Sequence, residues 1–160
     1  MVLAVVAVSR QTEEYLKSQG VRDSKAMTRT KRDQLAALIK EKAEEWHTIH
    51  VSPTTIDRRE DDNLTLNSME RNVMVELLAR LRSPLIAAVV DSVDSKPERL
   101  QEEIMEEMKK RQNPLRVIAE HKADRRCVPA TPALVVQQQH VLCCITSDND
   151  NVSLDFIPFG

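Results

Sequence analysis

The run MVLAVVAV, residues 1–8, is apolar throughout and rich in β-branched valine, and it constrains the fold more than any other stretch. It has the length of a strand, and a strand with apolar side chains on both faces must be covered on both sides. A sheet with helices packed against it does this, and the chain supplies the helices. Residues 11–19 are predicted as a short helix closed by Gly20 just past its C-cap. Leu35, Leu38, Ile39 and Trp46, with Ala36 and Ala43, recur at helical spacing behind a capping threonine at 28 or 30. Residues 48–52 read as a short strand ending at Pro53, and TTIDRREDDN reads as a charged connection without apolar period. Leu66, Met69, Val73, Leu77 and Leu81 then keep steps of three and four until Ser83-Pro84.

The second half continues the alternation. LIAAVV, residues 85–90, is a strand, and Ser95-Lys96-Pro97-Glu98 has the spacing of a capping box with proline in the first turn. The helix it opens carries Leu100, Ile104, Met105 and Met108 and stops before Asn113-Pro114, and LRVIA, residues 115–119, is one more strand. Strands alternating with helices of ten or more residues specify an α/β sheet with helical cover. After Asp124 the helical period is lost; a glutamine triplet and vicinal cysteines appear, and only residues 141–145 fit a strand.

At 160 residues and 41% apolar composition the chain is sized for one domain. A formal net charge of -2 gives no global basic field, so nucleic-acid binding must rest on a local patch. No apolar run reaches the roughly 18 residues of a membrane span, and the expected location is cytoplasmic. Cys127, Cys143 and Cys144 lack CxxC spacing, so reduced thiols are expected.

Asp91 ends the run LIAAVV, and in open α/β sheets chemistry gathers beyond the carboxyl ends of strands. Asp124 lies five residues past LRVIA and meets Asp91 if the two strands are neighbours. Two converging carboxylates repel unless a hard divalent cation such as Mg²⁺ or Mn²⁺ sits between them. On pattern alone a loop-capping Asp91 and a solvated Asp124 are the favoured reading.

Four blocks in order, GVRDSKAMTRTKRDQL, VSPTTIDRR, VVDSVDSKPERL and VIAEHKAD, resemble the ribonuclease HII family in its archaeal and eukaryotic-type branch, over roughly residues 2–124. The resemblance implies a ribonuclease H-like mixed sheet with flanking helices. It also implies an endoribonuclease that uses Mg²⁺ or Mn²⁺ to hydrolyse RNA in RNA/DNA hybrids, or a ribonucleotide in duplex DNA, leaving 5′-phosphate and 3′-hydroxyl ends. Asp91 matches the family's third acidic metal ligand and Asp124 the fourth, while Ser24 and Lys25 match a loop that approaches the substrate backbone. A monomer is expected.

The sequence also departs from the family. Its Asp-Glu-Ala-Gly motif occurs nowhere here, nor does the Ser-Ala-Ala-Ser helix after the fourth acid. The expectation is therefore a partial ribonuclease H-like domain at 1–124 with its first strand missing, and a divergent, disorder-compatible tail at 125–160. With two of four acids, such a chain should cleave poorly. The alternative is a non-catalytic fragment, or a weak nucleic-acid-binding remnant that keeps the basic stretch 22–32.

Overall fold

The computed structural model describes residues 1–21, 28–82, 85, 87–92 and 95–120, together with the backbone of 139–146. The elements are β1 (Val2–Ser9), α1 (Arg10–Ser18), α2 (Arg29–Lys42), β2 (Glu45–His50), α3 (Pro53–Asp57) continuing into a 3₁₀ turn (Arg58–Glu60), α4 (Leu66–Arg80), β3 (Ala87–Asp91), α5 (Pro97–Lys110), β4 (Arg116–Glu120) and β5 (Gln139–Thr146). The five strands form one mixed sheet in the order β2-β1-β5-β3-β4. β1 is antiparallel to both β2 and β5, and β3 is parallel to β5 and β4.

β1 is buried on both faces, as its composition requires. Leu3, Val5 and Ala7 join one core with Ala88 and Val90 of β3, Val117 and Ala119 of β4, and the inner stripes of α4 and α5. Ala4, Val6 and Val8 join a second core with Leu16, Val21, Leu35 and Ile39 from the region of α1 and α2. The sheet is thus the middle of three layers, with α4 and α5 on one face and α1 and α2 on the other.

Local chemistry sets most helix ends. Ser9, Thr28, Ser52 and Thr65 each sit at an N-cap in extended conformation, and each hydroxyl accepts from the backbone N–H three residues on. α1 closes at Gly20, whose φ of +84° is the left-handed value expected just past a C-cap. The Val21 N–H reaches the Leu16 carbonyl at 3.2 Å and the Gly20 N–H reaches Lys17 at 2.9 Å, with Leu16 and Val21 packed in the same core. Thr65→Ala is expected to cost about 1 kcal/mol in urea unfolding, the usual loss for an N-cap hydroxyl; an unchanged midpoint and slope would show the cap to be inert.

Four readings from the sequence need correction. Trp46 belongs to β2 rather than to the α2 stripe. Ala43 turns extended after its N–H closes on Ile39, and the Glu44 N–H bonds the Ala7 carbonyl, drawing the chain into the sheet two residues after the helix. β2 consequently starts at Glu45 and ends at His50, earlier than 48–52. The charged connection contains α3 because Ser52 caps it and Pro53 presets its first turn. α5 takes Lys96 rather than Ser95 at the N-cap position and has no side-chain cap bond, with Pro97 in the first turn.

Burial also reaches a charged group. Glu70 on α4 is 8% exposed, and desolvation raises its carboxyl above the ordinary value of 4.5. The folded chain therefore favours protonated Glu70: the cost of burying the anion is absent in acid and grows as pH rises through and beyond 4.5. Glu70→Gln should raise the melting temperature at pH 7, with a gain that shrinks towards pH 4; a gain independent of pH would assign it to packing.

Candidate active site

A parallel ladder brings two acids together. β3 and β4 pair from Ala87↔Arg116 to Asp91↔Glu120, and the Ser92 N–H extends the ladder by bonding the Glu120 carbonyl at 2.9 Å. Both carboxylates end their strands, and both residues are half-buried. Val90 and Ala119, one residue earlier, are core residues on the α4–α5 side. Side chains alternate along a strand, so Asp91 and Glu120 share the opposite face, on strands about 4.8 Å apart. Like charges side by side in a ladder are unfavourable, and a divalent cation with oxygen ligands relieves that repulsion.

The whole sheet leads to this end. β5 runs parallel to β3, reaching Val90↔Cys143. β2 is antiparallel to β1, which is antiparallel to β5. The carboxyl ends of β2, β5, β3 and β4 therefore lie on one side, where ligands of open α/β sheets bind. Among the described residues no three of His, Cys, Asp and Glu form a group that could hold a metal ion. A cavity of about 700 Å³ lined by Ile49, Ser52, Arg58, Asn72 and Glu76 includes neither acid.

Asp91 stands where the sequence places it, at the end of a strand. Asp124, Ser24 and Lys25 lie outside the described residues. In the sequence Glu120, with Asp94, is the next acid to consider after Asp91 and Asp124, and β4 runs one residue past the expected LRVIA to include it. The strand–helix–strand order β3-α5-β4 fits parallel neighbours joined by a crossover helix, and the register brings their final residues level. From the basic stretch, Arg29, Lys31 and Arg32 occupy the first turn of α2, and Arg29 and Lys31 are exposed.

Among the described residues no helix is long and apolar enough to cross a membrane.

The sequence model of the family described as ribonuclease HII matches residues 1–154, so the match runs past Asp124 into the segment expected to diverge. Ribonuclease HII of Methanothermobacter thermautotrophicus is 32% identical over 136 residues, covering 85% of this chain and 63% of that protein. The Archaeoglobus fulgidus enzyme is 37% identical over 124 residues, covering 78% of this chain and 56% of that one. The crystal structure of ribonuclease H2 from Pyrococcus horikoshii superposes with a TM-score of 0.69 at 32% identity, covering 77% of this chain and 56% of that chain. Ribonuclease HII in its complex with PCNA from Archaeoglobus fulgidus superposes at 0.65 and 35% identity, again over 77% of this chain and 55% of that one. The chain spans less than two thirds of the length of these relatives.

Proposed function

From the premise that this chain belongs to the ribonuclease HII family, we propose that it carries part of the active site of a divalent-metal endoribonuclease. The substrate is RNA paired with or joined to DNA, either a hybrid duplex or a ribonucleotide within duplex DNA, and the products are 5′-phosphate and 3′-hydroxyl ends. The observation that carries this reading is the Asp91↔Glu120 register at the carboxyl ends of β3 and β4. Their carboxylates are hard oxygen donors suited to Mg²⁺ or Mn²⁺, with Asp124 as the further acid. Bound there, such an ion supplies activation of a water and stabilisation of the leaving 3′-oxygen.

The chain's own residues hold the substrate. Lys25, with Ser24 beside it, meets the phosphate backbone, and Arg29, Lys31 and Arg32 extend the positive surface along the first turn of α2. Contacts of this kind fix register and carry no base information. The protein works as a monomer.

The second reading, a nucleic-acid-binding remnant without catalysis, draws on the exposed basic residues Arg29 and Lys31 in the first turn of α2. One assay separates them: a duplex with a single ribonucleotide is incubated with the chain and Mn²⁺, and the cut ends are identified. Mn²⁺-dependent cleavage leaving a 5′-phosphate supports the nuclease. Binding without cleavage, weakening steeply between about 50 and 200 mM salt, supports the remnant. Cleavage that persists in a chelator, or leaves a 2′,3′-cyclic phosphate, overturns the metal mechanism.

A further inference from the structure

The strand at the centre of the sheet is the last in sequence. β5 pairs with β1 over eight residues, from Val2↔Thr146 to Ser9↔Gln139, and with β3 over four, from Ala87↔His140 to Val90↔Cys143. Among the described residues β1 and β3 share no ladder of their own, so β5 alone joins the ribbon β2-β1 to the ribbon β3-β4. Without it the sheet becomes two two-stranded pieces, each marginal by itself, and the edges of β1 and β3 become open templates for an incoming strand.

We infer that the slot between β1 and β3 is a strand-exchange site, and that the partner fitting it is β5 of a second copy of this chain. The same segment from another copy repeats both ladders residue for residue, with the same antiparallel register to β1 and parallel register to β3. An unrelated extended peptide would have to match two registers of opposite sense at once. Eighteen residues, 121–138, separate the end of β4 from the start of β5. A stretch of eighteen residues can span at most about 60 Å, more than twice the roughly 27 Å of an eight-residue strand, so its length does not forbid the slot of a neighbouring copy. What favours the chain's own strand is that it belongs to the same chain, so its docking is intramolecular and independent of protein concentration. A monomer in dilute solution and an exchanged dimer after refolding at high concentration follow from one structure.

The test uses the register. Ala4 and Cys144 are Cα partners, so Ala4→Cys permits a disulfide that reports which copy supplies β5. Isotopically heavy and light copies of this variant are mixed in denaturant, refolded dilute or at about millimolar protein, oxidised and separated by size with light scattering. The expected result is monomers with 4–144 bridges of one isotope from dilute refolding, and dimers containing mixed heavy–light bridges from concentrated refolding. A chain bridged in dilute solution and then concentrated should stay monomeric. Val2→Cys with Thr146→Cys, partners at the far end of the same ladder, repeats the measurement should Ala4→Cys fold poorly. No dimer at any concentration, dimers with single-isotope bridges only, or dimers formed by the pre-bridged chain would each overturn the inference.

Discussion

Replacing Asp91 by asparagine should lower Mn²⁺-dependent cleavage of a single-ribonucleotide duplex by at least about a hundredfold. Losing a group that merely orients a ligand costs roughly 10- to 100-fold, and Asp91 is proposed as a ligand itself. Calorimetric titration of Mn²⁺ supplies the second readout, with the heat expected to fall to the blank in the variant. The fold should survive. Asn keeps the size of the side chain, Asp91 is the half-buried last residue of β3, and removing its charge also relieves the repulsion from Glu120 across the ladder. A folded Asp91→Asn variant with parental cleavage and parental Mn²⁺ heats would remove Asp91 from the site. Loss of activity together with loss of cooperative unfolding would mean that its role is structural.

The largest effect on stability is expected at Leu142→Pro. Residue 142 lies in the middle of β5, opposite Val6 of β1 and Val89 of β3. Proline cannot donate to a ladder and is excluded from interior strands. An unmade buried hydrogen bond costs about 1–3 kcal/mol, and the ring adds steric conflict in the most interior strand of the sheet. Against a typical folding free energy of about 5–15 kcal/mol, the variant is expected to lose its cooperative thermal transition or to melt far below the parent. Arg116→Pro is the comparison, because Arg116 is the exposed first residue of the edge strand β4, where proline is tolerated. Equal, small effects at both positions would show that residues 139–146 contribute little to the fold and would support the tail reading of 125–160.

Local signals in the sequence determined a good deal. The unbroken apolar run at residues 1–8 required a strand covered on both faces, and β1 has a core on each side. Thr28 and Gly20 marked helix ends because capping and left-handed closure depend on the neighbouring residues alone. Asp91 was legible as a strand-end acid for the same reason. Four blocks in family order pointed to ribonuclease HII, and the family match later extended to residue 154.

Tertiary structure decided what depends on partners distant in sequence. Trp46 continued a helical period in the sequence, yet the Ala7 carbonyl captures the Glu44 N–H and starts β2 instead. Glu120 became the register partner of Asp91 only once β3 and β4 were aligned as parallel neighbours. The place of β5 was the least legible feature. Residues 141–145 fitted a strand in the sequence, but nothing local placed it, because an interior strand is specified by the open edges on either side of it, and those belong to β1 and β3, some 50 to 140 residues away in the chain. Composition can say that a segment is able to extend; only the assembled sheet says that a gap two registers wide is waiting for it.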